Sequence, residues 1–173
     1  MVRIRSSGYG DGQRPASGDI SLSDAFQIRP ATTGDIDFLE ACAADAYAQY
    51  FEAIGRKPAP MVFDFEAQLG EMPIEMMMND GGSVGYLVWH LRADHLFLES
   101  IAVTSAQQGR GFAGLAMAYL EKTAIAAGRK AIELYTNEKM TANLGLYPHL
   151  GFVEIERREE EGFNRIYFRK ILK

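Results

Sequence analysis

Gln108-Gly109-Arg110-Gly111-Phe112-Ala113 lies between the apolar run Leu98-Glu99-Ser100-Ile101-Ala102-Val103 and an amphipathic helix-forming stretch. Glycines at 109, 111 and 114 remove the Cβ atoms that would keep an anion away from the backbone. The helix that follows offers unpaired N–H groups and the positive end of its dipole. A strand feeding such a turn can hold phosphates with main chain rather than side chains, so the expected ligand is a diphosphate-bearing cofactor. The competing reading is a glycine-rich helix start that holds nothing.

The hexad Gly109-Arg110-Gly111-Phe112-Ala113-Gly114 also satisfies the G-x-G-x-x-G fingerprint of a dinucleotide-binding domain, with Glu138 as a nominal ribose-binding acid. Its place in the chain argues against that reading. The fingerprint normally occupies the first strand-to-helix turn, whereas here most of the sequence precedes it and too little follows to complete two mononucleotide-binding halves.

Outward from the loop, Leu115, Ala116, Tyr119, Leu120 and Thr123 share one helical face, and Gly128 stops the helix. Ala131 to Thr136 reads as a strand, Thr141 to Leu150 as a short helix, and 152–159 with 163–172 as a hairpin turning near Gly162. On the other side, Ile74 to Met78, Ser83 to Leu91 and Leu96 to Val103 are strands separated by Asn79-Asp80-Gly81-Gly82 and Arg92-Ala93-Asp94, compositions suited to hairpin turns. Further back, Phe26 to Arg29 alternates as a first strand. Thr32 or Thr33 caps a helix running through Ile36, Leu39, Ala43, Tyr47, Tyr50 and Ile54 to Gly55, and Met61 to Leu69 makes a second helix after Pro58 and Pro60. The resulting order, β-α-α-β-β-β-α-β-α-β-β, describes a mixed α/β sheet. Met76-Met77-Met78 reads as core filling and Cys42 as a small buried hydrophobe.

At 173 residues the chain suits one domain, expected over 25–173, with residues 1–24 as a flexible glycine- and serine-rich extension. A formal net charge of −5 opposes a nucleic-acid surface, and a single cysteine excludes an internal disulfide and a thiolate metal cluster. His90, His95 and His149 lack metal-ligand spacing, so no metal is expected. No apolar run reaches membrane-spanning length and no secretory signal is visible, which together predict a soluble, cytoplasmic protein.

Two blocks carry a family resemblance. Leu98-Glu99-Ser100-Ile101-Ala102-Val103 leading into Gln108-Gly109-Arg110-Gly111-Phe112-Ala113 resembles the Q/R-x-x-G-x-G/A loop of the GNAT superfamily of acyl-coenzyme A dependent N-acetyltransferases. Asn143-Leu144-Gly145-Leu146-Tyr147-Pro148-His149-Leu150-Gly151-Phe152 is similar to that superfamily's N-x-x-x-Y-x-x-x-G-F segment. The resemblance covers Phe26 to Leu172, including Ile28-Arg29-Pro30-Ala31 at its start. It implies a GNAT-like mixed, mostly antiparallel sheet flanked by helices, with acetyl-CoA as cofactor and coenzyme A as product.

By the same resemblance, the backbone of Ile101, Ala102 and Val103 pairs with the pantetheine arm, the Val103 N–H polarises the thioester carbonyl and Asn143 bonds a pantetheine amide. Gln108, Gly109, Arg110, Gly111, Phe112, Ala113 and Gly114 form the phosphate nest. Tyr147 matches the general acid, with aromatic packing as its alternative role. Glu99, a lone carboxylate in an apolar strand, is the candidate base; anchoring the substrate or facing solvent are its other roles. Tyr47, Tyr50, Phe51, Met61 and Phe63 are candidates to line a pocket for a cationic acceptor, although their spacing fits helix packing equally well.

The resulting expectation is an enzyme that acetylates a primary amine of a small molecule by direct attack. An acetyl-CoA-binding sensor without turnover and a peptide or protein N-acetyltransferase are the alternatives. The exposed end of the C-terminal hairpin offers a surface for a homodimer.

Overall fold

The computed structural model describes residues 25–173, so the expected extension over 1–24 lies outside the described residues. Seven strands form one sheet. They are β1 (Phe26–Pro30), β2 (Ile74–Asn79), β3 (Gly82–Leu91), β4 (His95–Val103), β5 (Ala131–Asn137), β6 (Val153–Glu160) and β7 (Phe163–Ile171). Their order across the sheet is β1-β2-β3-β4-β5-β7-β6. Short turns join β2 to β3, β3 to β4 and β6 to β7 as antiparallel hairpins; β1–β2 and β5–β7 are also antiparallel, and β4 and β5, with the helix Phe112–Ala126 between them in the chain, are the parallel pair.

Five α-helices accompany the sheet: α1 (Ile36–Tyr47), α2 (Phe51–Ile54), α3 (Phe65–Gln68), α4 (Phe112–Ala126) and α5 (Thr141–His149). The side chains of β3 show why both faces are covered. Leu87 and Trp89 enter one apolar cluster with Ala116 and Leu120 of α4 and Tyr147 of α5, whereas Tyr86 and Val88 enter another with Leu39 and Cys42 of α1 and Phe65 of α3. Alternation along a strand delivers residues to both sides, and each side recruits its own helices.

The expected order of elements holds, with two corrections. The long helix drawn from Thr32 or Thr33 to Ile54 is divided: α1 stops at Tyr47, a 3₁₀ turn spans Ala48–Tyr50, and α2 adds four residues before Gly55. Tyr47 is tied down by its hydroxyl, which donates to the Ile101 carbonyl at 2.7 Å. That tertiary bond coincides with the break, and helical periodicity cannot register it. The helix drawn from Met61 to Leu69 is a 3₁₀ turn at Ala59–Val62 followed by α3, separated by an extended Phe63 and begun by the Asp64 carboxylate accepting the Ala67 N–H at 2.9 Å. Met76 and Met77 are fully buried, as their core-filling role requires.

Gly85 fixes how closely β3 approaches β4. A Cβ there would stand 2.1 Å from the Ala102 carbonyl oxygen and 2.6 Å from the Met77 Cε. Gly85→Ala therefore must push β4 away, and a loss of about 1–3 kcal/mol or more is expected in urea unfolding. Wild-type stability for this variant would show that the strands yield without cost.

Candidate functional site

Pairing between β4 and β5 runs from His95 opposite Ala131 to Leu98 opposite Leu134 and ends there. Beyond that point β5 stays with β7, leaving 99–103 of β4 without a strand on that side. The polarity of this free edge follows from antiparallel geometry. Thr104 N–H donates to the Val84 carbonyl at 3.0 Å, so alternate residues 102 and 100 also turn their main-chain groups toward β3. Ile101 and Val103 turn theirs outward. Their carbonyls confirm it: Tyr47 bonds that of Ile101, and the Gln108 Nε2 donates to that of Val103 at 3.0 Å. The N–H groups of both residues face the gap.

A β-bulge sits at the parting point. Val88 lies opposite Ser100 and Trp89 opposite Leu98, which leaves Glu99 with no partner residue. The extra residue reverses the alternation. Leu98 belongs to the α4 side of the sheet, yet beyond the bulge Ile101 and Val103 pack there while Ala102 joins the α1 side. Bulges re-aim side chains, and this one directs a carboxylate to the crevice between the strands.

Glu99 is not isolated there. Its Oε1 accepts the Tyr135 hydroxyl at 3.0 Å. Burial raises its pKa above the ordinary 4.5, opposed by that hydrogen bond and by the charge of Arg165. The Arg165 guanidinium lies 4.3 Å from the Tyr135 ring centre and is held by Glu160 at 2.8 Å and Glu161 at 3.2 Å.

Asn143 and Tyr147 from α5 line the same crevice, whose volume is about 50 Å³. Asn143 Nδ2 donates to the Thr136 hydroxyl at 3.1 Å, which docks the start of α5 on β5. The Tyr147 ring packs 5.9 Å from Phe152 and 5.6 Å from Phe168, and the residue is 5% exposed. Packing thus accounts for the ring. Its hydroxyl has no hydrogen-bond partner among the described residues, and burial drives its pKa well above the usual phenol value.

At the far end of the open edge the glycine-rich turn begins α4. Gly111 is the residue before the helix and takes a left-handed φ of 88°, a conformation that disfavours any other residue. Cβ atoms built at 109, 111 or 114 would meet nothing within 4 Å, so the turn presents bare backbone to open space. A helix of 15 residues stands behind it. Arg110 bonds Gln107 and stays exposed, whereas the Phe112 side chain is buried and stacks 5.7 Å from Phe26. Phe112 therefore has only main chain to offer a ligand. Asp45 of α1 braces the loop, accepting the Ser105 N–H at 2.6 Å and its hydroxyl at 2.9 Å.

A second space, of about 590 Å³, opens on the other side of Glu99. Glu99, Ser100, Tyr135, Phe163 and Arg165 line both. Among the five residues expected to contact an acceptor, Phe63 lines the larger cavity and Tyr47 the crevice, while Tyr50, Phe51 and Met61 line neither. Phe51 is 46% exposed.

Residues 39–152 match the family model described as the Acetyltransferase (GNAT) family. The chain belongs to this family. No curated protein matches it in sequence. Among solved structures it is similar to the ribosomal-protein-S18-alanine N-acetyltransferase from Escherichia coli, at 18% identity and a TM-score of 0.69, covering 85% of this chain and 94% of that one. A GCN5-related N-acetyltransferase from Rhodopseudomonas palustris gives 18% identity and a TM-score of 0.70, covering 90% and 100%. A GNAT family acetyltransferase from Elizabethkingia anophelis with acetyl-CoA bound gives 18% and 0.62, covering 87% and 100%. At these identities the likeness is one of fold.

Within this GNAT domain the structure brings Glu99, Ile101, Asn143 and Tyr147 to one crevice. Tyr135 and Arg165 were not among the expected site residues. Tyr135 of β5 hydrogen-bonds Glu99 and the charge of Arg165 on β7 acts on it, and the only sequence signal was an aromatic and a cation within two expected strands. Cys42 is buried with its thiol pushed up to about 12 by desolvation, consistent with a packing role. Among the described residues no group of three or more His, Cys, Asp or Glu could hold a metal, and no helix is long and apolar enough to cross a membrane.

Proposed function

We propose that this GNAT domain transfers acetyl from acetyl-CoA to a primary amine of a small molecule by direct attack, in the cytoplasm. The observation that carries the reading is the convergence at the strand gap: Glu99 and Tyr147 line one crevice, and the free β4 edge that borders it leads along the chain to a bare-backbone helix start.

The residues present fit acetyl-CoA. The N–H groups of Gly109 to Gly114 and the α4 dipole suit its phosphates, and the open N–H groups of Ile101 and Val103 suit an amide-bearing arm. Acetyl-CoA supplies an activated thioester. Glu99, whose pKa is raised by burial, takes the proton that an ammonium acceptor must lose before its nitrogen bonds the acyl carbon. The Val103 N–H donates to the acyl oxygen as negative charge grows on it. As the carbon–sulfur bond breaks, Tyr147 gives its hydroxyl proton to the sulfur, and the second proton that the acylated nitrogen must lose restores the phenol; burial keeps that phenol protonated until the bond breaks.

Turnover of acetyl-CoA against a broad amine panel, read as free thiol, tests the proposal. Amine-dependent release supports it. Binding without release from any amine would favour the sensor, and release with peptides alone would move the acceptor class. Calorimetry adds a separate prediction: acetyl-CoA binds more tightly than NAD. Gly111→Val and Gly114→Val should both weaken acetyl-CoA, the second without backbone strain because Gly114 lies in helical conformation beside open space. Equal or tighter NAD binding would contradict the assignment of the loop.

A further inference from the structure

The acceptor cavity has a polarity that the chemistry above does not use. Its charged lining consists of Arg56, Lys57, Asp64, Glu99, Glu161 and Arg165. Two of the groups other than Glu99 are already paired with opposite charge: Arg165 is bound by Glu160 at 2.8 Å and Glu161 at 3.2 Å, which commits the Glu161 carboxylate as well. Asp64 accepts the Ala67 N–H at 2.9 Å and keeps its charge.

Arg56 and Lys57 differ. Neither has a carboxylate partner among the described residues. Arg56 is nevertheless held in place. Its Nη2 donates to the Glu161 main-chain carbonyl, and its Cζ lies 3.5 Å from the centre of the Phe163 ring. A guanidinium fixed by a neutral acceptor and an aromatic face keeps its full charge and several N–H donors for a ligand. The cavity wall therefore carries Glu99, Asp64 and two cations with no carboxylate partner among the described residues, Arg56 and Lys57, which outnumber Asp64.

Building on the proposed acetyl transfer, we infer that the acceptor is a zwitterion: an amine that reaches Glu99, joined to a carboxylate or other oxyanion that Arg56 and Lys57 bind. The volume of about 590 Å³ leaves room for several bonds between the two groups. Arg56 and Lys57 act in recognition and take no part in proton transfer. A neutral amine forfeits the charge-assisted bonds, and the longer-range field of two cations also disfavours a dication.

Matched acceptors test this. The ω-amino acids from glycine through 6-aminohexanoate are compared with their amides, and ω-aminoalkylphosphonates form an arm that separates phosphate-like from carboxylate oxyanions. Binding is measured by calorimetry on the full chain saturated with coenzyme A, alongside kcat and KM with acetyl-CoA. The expected result is that at least one acid or phosphonate binds about ten- to a hundred-fold better than its neutral counterpart. Arg56→Gln should reduce that preference by about ten-fold through KM, with kcat and coenzyme A affinity held, and Lys57→Gln should reduce it less. Arg56→Lys should retain most of it, which a purely packing role on Phe163 would not allow. Equal binding of acids and amides, no binding of any acid, or a preference unchanged in Arg56→Gln overturns the inference. Because calorimetry needs no turnover, failure of acetyl transfer would show separately as absent thiol release with every amine.

Discussion

Tyr147→Phe is expected to lower turnover by roughly ten-fold to several thousand-fold, the range for loss of a general acid, while acetyl-CoA affinity changes little. The ring contacts to Phe152 and Phe168 survive the substitution, since neither involves the hydroxyl. The hydroxyl has no partner among the described residues to lose, so urea unfolding should place the variant at or above wild-type stability. A fall in activity with intact folding isolates the proton from the packing. Undiminished turnover, with chemistry limiting the rate, would return Tyr147 to the core.

Glu99→Gln is the second large effect. The shape is kept and the charge removed, so turnover of protonated amines should fall by roughly a hundred-fold or more at neutral pH, with acetyl-CoA affinity nearly unchanged. The sign of the pH dependence follows from burial. The folded pKa of Glu99 lies above 4.5, so the active carboxylate form is lost as pH falls through that raised value, and the acid limb of wild-type kcat/KM should sit above 4.5. Tyr135→Phe removes a hydrogen bond that lowers this pKa, and should move the limb further up. Two roles for Glu99 separate at high pH. Proton removal predicts partial recovery of the Glu99→Gln rate as free amine accumulates; anchoring of the cation predicts a raised acceptor KM that high pH does not repair. Wild-type kinetics across the pH range would exclude both.

Burial of Glu99 also has a stability consequence. A carboxylate with a raised folded pKa leaves the native state holding more protons than the unfolded chain between 4.5 and that higher value, so its contribution falls as pH rises through the window. The loss persists at neutral pH. That cost fits the chemical role proposed for Glu99.

The parts of this site that local spacing encodes were visible in the chain. Glycines at 109, 111 and 114 announced a backbone cradle, and an acid between Leu98 and Ser100 announced a polar exception in a buried strand. What spacing could not show was how Glu99 is aimed. A strand of period 2 gives no sign that one residue is looped out, and the bulge depends on the register of β3 against β4. Tyr135 and Arg165 were missed for the same reason: their role exists only once β5 and β7 are laid beside the parted end of β4. The division of the long first helix coincides with Tyr47 reaching Ile101, 54 positions away. Among the aromatic residues named for the acceptor, the 3.6-residue repeat could not separate Tyr47 and Phe63 on the cavity walls from Phe51 on the surface, because it registers neither the end of α1 at Tyr47 nor the extended backbone at Phe63.

The measurement that bears most directly on acetyl transfer is product stoichiometry. The protein is incubated with acetyl-CoA labelled in its acetyl group and with an amine that supports thiol release. Mass spectrometry should find the labelled acetyl on nitrogen, one per thiol released, with both signals suppressed together in Tyr147→Phe and Glu99→Gln. Thiol released without acetylated amine, or acetylated amine formed equally well by the two variants, would contradict transfer at the gap between β4 and β5.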